Sequence, residues 1–340
     1  MENEKAKVIS FINMKGGVAK TTLTINVGEE LANKGYKVLV MDMDPQFNAT
    51  QSLLLHKIRT RAEGQAEEQT EEQTEGQAEG QAEGQAEGQA EGQAEGQAEG
   101  QAEGQAEEQV EEDEIKKEMT SAKEYEELST KKLTVLQMFQ NSDLAEPPEN
   151  PKLIQQIITN LDLIPGDLTL AKEISGDTAN KVGAVIVHLT DKGILAEYDF
   201  VLIDCPPTWS ILTHSSLFAS DYYIIPSKVD FYSSIGIQLL EEQIKTKITN
   251  DSVYKMTGRT LTRLGVIFTL VHRNIKAEET RMKNLKETFP AIEFFTSNLP
   301  HMPSIPTKFV MYSDAKAFST YEQLGNSIEK IVAELEEKLK

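Results

Sequence analysis

The sequence predicts an α/β fold, in which a doubly wound, mostly parallel β-sheet carries helices on both faces. Two observations support this prediction. Short, uniformly apolar runs recur along the chain, and amphipathic stretches separate them. Strands without polar alternation are typical of sheets that are buried on both sides. Helical connections between such strands give a parallel sheet, and ligands bind at the carboxyl ends of its strands.

Seven apolar runs are the predicted strands. In chain order they are KVISFIN, YKVLVMDMD, LDLIPG, FVLIDCPP, DYYIIPS, LGVIFTLV and AIEFFTSNLP. A helix is predicted from Thr21 to Asn33, because Gly35 stands where a glycine commonly ends a helix.

The stretch from Tyr321 to Lys340 is predicted to be an amphipathic helix, because its apolar residues recur at helical spacing. These residues are Leu324, Ile328, Ile331, Val332, Leu335 and Leu339. Its polar face mixes Glu with Lys rather than being basic, which favours packing on the core over membrane anchoring. We therefore expect no stable membrane association.

Composition restricts the class of protein. The chain has 340 residues, of which 39% are hydrophobic, so it can bury a sizeable core. No apolar run reaches the roughly 18 residues that a membrane span needs, and the first residues lack the apolar region of a secretory signal. The lone cysteine, Cys205, cannot form an internal disulfide or a cysteine-based zinc site. We expect a cytoplasmic protein without redox or zinc chemistry.

The net charge of −21 comes mainly from one segment. Residues 62–109 repeat a four-residue unit of the type A-E-G-Q. The stretch from Arg61 to Glu114 holds 19 acidic residues and one basic residue, so the rest of the chain is close to neutral. Recurrent glycine and glutamate repulsion disfavour a stable helix, and almost nothing there can be buried. We expect 62–109 to be disordered, as a spacer or partner-binding tail or as a tolerated surface loop.

The insertion is expected to span residues 61–132, because the charged, helix-prone stretch at 110–132 has few apolar residues. Residues 5–60 and 133–340 are then a single domain.

The stretch FINMKGGVAKTT has the features of a phosphate-binding loop. A predicted strand leads into Gly16 and Gly17, Lys20 can reach the β- and γ-phosphates, and Thr21 can ligate Mg²⁺. Met14 and Ala19 occupy the two glycine positions of the G-x-x-x-x-G-K-[ST] pattern. The alternative is a glycine turn with incidental lysines.

Carboxylates follow two of the predicted strands. Asp42 and Asp44 end the second strand, and Asp204 follows four apolar residues, as a Walker-B carboxylate does beside Mg²⁺. Such residues could instead be turn residues at strand ends, but three of them together with the loop favour a nucleotide site.

At these residues the sequence resembles the ParA/Soj/MinD family of deviant Walker-A ATPases, over nearly all of the chain except the insertion. Residues 15–21 fit the loop K-G-G-x-x-K-[ST] of the family. The segments DMDPQFNAT, with Phe47 in place of the usual glycine, YDFVLIDCPPTWSILTHSSLFASDYYIIP and LDLIPGDLTLAKEI are similar to further family segments. The ParA partition branch fits better than the MinD branch.

The resemblance implies a P-loop NTPase fold and assigns roles to particular residues. It makes Lys15 the signature lysine, which reaches the phosphates bound by the other subunit of an ATP-dependent homodimer, much as an arginine finger does. Asp44 would position or polarise the attacking water, and Asp42, Asp204 and Thr21 would attend the Mg²⁺. The residues expected to bind ATP are Lys15, Gly16, Gly17, Val18, Ala19, Lys20, Thr21 and Thr22.

A basic segment suggests a second partner. Residues 245–286 hold ten Lys or Arg and three acidic residues. On a dimer such residues could form a phosphate-binding face that is indifferent to DNA sequence. The candidates are Arg259, Arg263, Arg273 and Lys276. The alternative is a solvated helix face.

Together these observations predict an ATP-hydrolysing switch for plasmid or chromosome partitioning. The ATP-bound dimer would bind DNA nonspecifically and associate with the nucleoid, and a centromere-binding, ParB-like partner would release it by stimulating hydrolysis. Two alternatives stay open, a MinD-like membrane-positioning ATPase and a nucleotide-dependent scaffold with negligible turnover.

Overall fold

The computed structural model describes residues 5–78, 99–140, 149–173, 181–230, 232–302, 311–315 and 319–340. Within these residues seven strands form one sheet. The strands are β1 (Lys7–Phe11), β2 (Val38–Asp42), β3 (Gln155–Ile158), β4 (Leu161–Ile164), β5 (Phe200–Asp204), β6 (Tyr222–Lys228) and β7 (Thr262–Thr269). Their order across the sheet is β3-β4-β2-β5-β1-β6-β7.

Helices connect all of these strands except β3 and β4, which follow each other directly. They are α1 (Lys20–Asn33), α2 (Asn48–Ala78), α3 (Glu99–Thr130), α4 (Leu170–Glu173), α5 (Ala184–Asp191), α6 (Ile211–Ala219), α7 (Ser233–Ile244), α8 (Ser252–Met256), α9 (Lys276–Thr288), α10 (Tyr312–Ala315) and α11 (Glu322–Lys338). Short 3-10 turns lie at Val135–Phe139, Ile194–Ala196 and Ser319–Tyr321, and a π-helical turn at Lys245–Thr249 extends α7.

The sheet is parallel except for β3, which pairs with β4 in the antiparallel direction. All five residues of β2 and all five of β5 are buried. Since successive side chains of a strand point to opposite faces, both faces of the sheet must be covered. The predicted doubly wound, mostly parallel α/β fold is therefore confirmed.

Six of the seven predicted strands are present. The seventh, AIEFFTSNLP, forms only isolated bridges, at Phe294 with Val266 and at Pro300 with Val271. The strand β3 was not predicted, because its two glutamines break the apolar pattern of this edge position. The predicted first helix is confirmed, and Gly35 ends it with a φ of 93°.

The C-terminal helix α11 packs on the core, as its sequence pattern predicts. Its apolar residues Leu324, Ile328, Ile331, Val332 and Leu335 are buried. The helix lies against α1, and the Tyr36 hydroxyl after α1 donates a hydrogen bond of 2.9 Å to Glu336. The apolar face that a membrane anchor would need is therefore covered by the protein itself.

The chain divides into two compact units, one built from Met1–Leu53 with Glu127–Lys340 and the other from Leu54–Glu126. In the second unit the Arg59 guanidinium donates to Glu114 at 2.6 Å, and the Lys57 ammonium contacts Glu124. The earlier residue of α2, Lys57, pairs with the later residue of α3, Glu124, and Arg59 pairs with Glu114. The two helices therefore run antiparallel there.

Residues 62–109 are expected to be disordered, and the structure places helices at both flanks of this repeat. Helix α2 continues to Ala78, and α3 begins at Glu99. Each flank belongs to a helix that also includes residues outside the repeat, so no separate nucleation step is needed. Alanine, glutamate and glutamine are also good helix formers, which offsets the glycines. Residues 79–98, the centre of the repeat, lie outside the described residues.

Candidate functional site

The loop between β1 and α1 lies at the carboxyl edge of the sheet, as the sequence predicts. Gly17 has a φ of 66°, which suits a residue without a side chain. Gly16 is exposed, with nothing within 4 Å of where a Cβ atom would lie. The glycine turn therefore leaves its backbone open to a ligand.

Two polar side chains hold this loop, and the sequence analysis missed both. Asn13 accepts a hydrogen bond of 2.9 Å from the Lys15 N–H and donates one of 2.7 Å to the Pro226 carbonyl. The Thr269 hydroxyl, at the end of β7, donates to the Val18 carbonyl at 2.9 Å. The loop is thus fixed to β6 and β7. Asn13 is adjacent to the motif, but Thr269 is more than 200 residues away and gives no sequence signal.

The two lysines of the loop occupy different environments. Lys20 is buried, with 6% of its surface exposed, and its Nζ lies 3.5 Å from the Lys15 carbonyl oxygen. Lys15 is exposed, and its ammonium contacts the carboxylate of Asp230, beyond the end of β6. Within one chain, the Lys20 ammonium therefore lies against the loop backbone, whereas the Lys15 ammonium lies at Asp230.

Asp230 is held firmly in place for this contact. Its carboxylate accepts hydrogen bonds from the Tyr232 N–H at 3.1 Å and from the Ser233 hydroxyl at 3.0 Å. Partial burial alone would raise the pKa of Asp230. The hydrogen bonds from Lys15 and Ser233 outweigh burial and hold that pKa below its usual value.

A third cation lies near the glycine turn and was missed from the sequence. The Nζ of Lys228, the last residue of β6, is 3.9 Å from the position that a Cβ atom would take at Gly17. Lys228 adds positive potential where phosphate oxygens would lie.

Thr21 and Asp204, both expected at the Mg²⁺, contact each other. The Thr21 hydroxyl donates a hydrogen bond of 2.6 Å to one carboxylate oxygen of Asp204. The other oxygen of Asp204 is buried and has no hydrogen-bond partner. A buried carboxylate oxygen without a partner is costly, and a cation would satisfy it. The donor set, a hydroxyl and a carboxylate beside a phosphate loop, fits Mg²⁺.

Asp42 lies opposite Asp204 on the neighbouring strand, but its oxygens are engaged elsewhere. It accepts hydrogen bonds from the N–H and the hydroxyl of Thr50, both at 2.8 Å, and from the Asp44 N–H at 3.2 Å. Its contacts hold the first turn of α2. A direct role for Asp42 at Mg²⁺ stays a prediction.

The pKa values of Asp204 and Asp42 are both raised above the usual value of an aspartate. Burial raises the pKa of Asp204, and the charge of Asp42 raises it further, although the Thr21 hydroxyl opposes both. Burial likewise raises the pKa of Asp42, against the hydrogen bonds from Thr50. A divalent cation would offset the repulsion between the two groups.

Asp44 lies just beyond β2 and is nearly buried, with 8% of its surface exposed. One carboxylate oxygen accepts a hydrogen bond of 3.0 Å from the Gln46 N–H. The Asp44 carbonyl accepts another, of 2.8 Å, from Phe47. The carboxylate is therefore fixed at the same edge of the sheet as the loop.

Ala19 stands at a glycine position of the phosphate-loop pattern, and Phe47 stands where the family usually has glycine. Both adopt the left-handed backbone conformation that glycine favours. Ala19 has φ 57° and ψ 35°, and Phe47 has a φ of 42°. A left-handed conformation costs a residue with a side chain about 1–2 kcal/mol. The loop keeps its shape at these positions at the expense of local strain.

The remaining nucleotide candidates also lie on the loop. Val18 is buried, and Thr22 lies in the first turn of α1, where its carbonyl accepts a hydrogen bond of 2.7 Å from Asn26. Within the described part of the chain, no three or more His, Cys, Asp or Glu residues are grouped so as to hold a metal ion by themselves. A hydroxyl and phosphate oxygens would have to complete the coordination.

The four candidate DNA contacts lie at opposite ends of β7. Arg259 and Arg263 lie before and at the start of β7, whereas Arg273 and Lys276 follow its other end. The eight residues of β7 span about 25 Å, since a strand rises roughly 3.3 Å per residue. The four candidates therefore form two separate pairs, and their contact with DNA stays a prediction.

The first pair is engaged within the fold. Arg259 donates to the Ala219 carbonyl at 2.7 Å and pairs with Asp221 at 3.1 Å. Arg263 pairs with Glu241 and donates to the Ala291 carbonyl at 2.6 Å. These side chains are only 16% and 20% exposed. Arg273 and Lys276 are exposed.

Comparison with known proteins gives a family match and a consistent fold. The sequence profile described as an AAA domain matches residues 6–76 and 103–255. The chromosome partitioning protein ParA of Myxococcus xanthus is 24% identical over 95% of this chain and 88% of its own. The chromosome-partitioning ATPase Soj of Treponema pallidum is 26% identical over 83% of this chain and 79% of its own.

Two solved structures share the fold at lower identity. A putative plasmid partition protein from Borrelia burgdorferi, bound to AMPPNP, is 18% identical with a TM-score of 0.59, covering 98% of this chain and 99% of its own. Cobyrinic acid a,c-diamide synthase from Mycobacterium smegmatis, with a bound ATP analog and magnesium, is 17% identical with a TM-score of 0.60, covering 98% and 96%.

A search of the described helices for a stretch long and apolar enough to cross a membrane finds none.

Proposed function

Because the chain belongs to the AAA-domain family that includes the ParA and Soj partition ATPases, we propose that it is an ATP-hydrolysing switch for plasmid or chromosome partitioning. In the proposed cycle, ATP with Mg²⁺ drives formation of a homodimer. That dimer binds DNA without sequence preference on the nucleoid, in the cytoplasm. A ParB-like partner protein then stimulates hydrolysis and releases it.

The observation that carries this proposal is the bond between Thr21 and Asp204. It leaves one buried carboxylate oxygen without a partner, next to the phosphate loop and the buried Lys20. Thr21 and Asp204 would hold the Mg²⁺, which neutralises charge that develops on the phosphates. Lys20 would bind phosphate oxygens of its own subunit.

Asp44 is proposed to orient the attacking water. Its backbone contacts hold the carboxylate at the edge of the site, while its charge can polarise a water O–H. Lys15 would supply a further cation from the other subunit, once it has left Asp230. A dimer would then form only around a triphosphate.

The scaffold alternative differs from this proposal in turnover. Phosphate release from ATP should be measurable with Mg²⁺, DNA and a partner protein, and should fall to background in Asp44→Ala. That variant should still bind ATP, because Asp44 is proposed to act on water rather than on nucleotide. Turnover that is absent from the wild-type protein would favour the scaffold, and unchanged turnover in Asp44→Ala would move the water-positioning role elsewhere.

The membrane alternative has less support. A MinD-like protein would need an apolar helix face available to lipid, and α11 buries that face against the fold. We therefore keep DNA as the proposed surface for the ATP-bound dimer.

A further inference from the structure

A cavity of about 480 Å³ lies beside the nucleotide site, and the proposed function does not use it. Its walls come from the segments that directly follow β2 and β5 and from the π-helical turn after α7. Pro45 is one residue beyond Asp44, and Pro206 is two residues beyond Asp204. The cavity therefore borders the segments that carry Asp44 and Asp204, but neither carboxylate lines it.

The polar groups in the cavity are suited to an anion. Lys247 is the one formally charged side chain among the described lining residues, and no carboxylate lines the wall. The Ser210 hydroxyl is buried and has no hydrogen-bond partner. Ser210 is also the residue before α6, and its side chain does not cap that nine-residue helix. The first N–H groups of α6 and the helix dipole thus add positive potential.

His214 lies one turn into α6 and also lines the cavity. Burial lowers the pKa of His214, and its ring hydrogen-bonds to the backbone of Lys247. This contact connects α6 to the turn that carries Lys247. Asp251, at the start of α8, is the acidic group that acts on His214, and it does not line the cavity.

The rest of the wall is apolar and includes a large aromatic ring. Trp209 lines the cavity, and the Lys247 ammonium lies 5.6 Å from the centre of its ring. Leu170, Ile211 and Leu212 complete this side. Apolar walls with a few convergent polar groups are typical of ligand sites, and the volume is in the range of such sites.

We infer that this cavity binds a carboxylate carried on an apolar stem, as in an acidic side chain of a partner peptide flanked by apolar residues. Lys247, Ser210 and the N–H groups of α6 receive the carboxylate, while Trp209 and the leucines receive the apolar flanks. An ammonium that stays over an indole ring in the free protein is available to pair with an incoming anion.

Occupancy of the cavity acts on hydrolysis through Pro45, and this part of the inference rests on the proposed function. The chain turns tightly between Asp44 and Phe47, whose N–H donates to the Asp44 carbonyl. A ligand against Pro45 therefore bears on the same turn that positions the Asp44 carboxylate.

Trp209 is the chain's one tryptophan, so its fluorescence reports on the cavity directly. The full-length protein without nucleotide is titrated with an N-acetylated tripeptide that has aspartate between two leucines. We expect a saturable change in emission that the asparagine counterpart does not produce. Lys247→Gln should weaken binding by about tenfold, since a hydrogen bond to a charged group is lost. Lys245→Gln, on the same turn but outside the cavity lining, should bind as the wild type does.

Three results would overturn the inference. The asparagine peptide could bind equally well, inorganic phosphate could bind as tightly as the acidic peptide, or Lys247→Gln could leave binding unchanged. Phosphate release is then measured with saturating acidic peptide in the wild type and in Lys247→Gln. A change confined to the wild type supports the link to hydrolysis, and binding without any change in turnover overturns that link. Turnover that is absent even without peptide would instead count against the proposed function.

Discussion

The ammonium of Lys15 contacts the carboxylate of Asp230, although 215 positions separate the two residues in the chain. This pair holds the proposed signature lysine within its own subunit. For Lys15 to reach phosphates in a second subunit, the contact must break first. In the proposed cycle the pair would therefore oppose dimerisation, by an amount limited by its exposure to solvent.

Asp230→Asn should consequently lower the ATP concentration at which half of the protein is dimeric. A half-exposed pair contributes about 0.2–1 kcal/mol, which corresponds to a shift of about 1.5- to 5-fold. Light scattering across an ATP titration measures this, and Asp113→Asn, which removes another exposed pair, is the control. A higher ATP requirement in Asp230→Asn would mean that Asp230 stabilises the dimer instead.

Ala19→Gly should stabilise the nucleotide-free protein by up to about 1 kcal/mol. It relieves a left-handed alanine, although glycine also gains entropy in the unfolded chain. Ala333→Gly, in the exposed interior of α11, should destabilise by about 1 kcal/mol. Urea unfolding compares the two free energies. Equal destabilisation by both substitutions would show that Ala19 carries no strain.

The sequence predicted most of this fold, because buried parallel strands are uniformly apolar and so are conspicuous. The edge strand β3 was not predicted, since its two glutamines are more typical of a loop than of a buried strand. AIEFFTSNLP looked like a strand but forms only two bridges. Within the site, the loop and its carboxylates were predicted from local motifs. Asp230 and Thr269 could not be, since their contacts with the loop exist only once the sheet has assembled.

Arg273→Ala with Lys276→Ala should weaken DNA binding similarly for unrelated duplexes. Both side chains are exposed, and the loss of two phosphate contacts should reduce the salt slope by about 1.8. Filter binding over a salt series measures both effects. Thermal stability should be unchanged, because neither side chain is buried. Unchanged affinity and slope would remove this pair from the DNA surface.

Arg259→Ala and Arg263→Ala should behave differently and lower stability. Each change leaves a partly buried acidic partner, Asp221 or Glu241, without its cation, at a cost of about 1–3 kcal/mol. Thermal unfolding is the measurement. If both variants unfolded normally yet lost DNA binding, these arginines would belong to the DNA surface after all.

Deleting residues 62–109 should leave ATPase activity nearly unchanged, because loop closure depends only weakly on length. The pairs of Lys57 with Glu124 and Arg59 with Glu114 lie outside the deletion. DNA binding at low salt should tighten modestly, since most of a tethered polyanion is removed. Circular dichroism melting and phosphate release check this. A large drop in melting temperature would show that the repeat stabilises the fold.

The most direct test of the account is DNA binding under nucleotide control. Anisotropy of two unrelated labelled duplexes is measured with ATP and with ADP, for the wild type, Lys15→Ala and Lys20→Ala. We expect the wild type to bind both duplexes equally, and only with ATP. Lys15→Ala should bind ATP but not DNA, and Lys20→Ala should bind neither. Equal DNA binding with ATP and ADP, or normal ATP-dependent binding by Lys15→Ala, would contradict the proposal of a nucleotide-gated dimer.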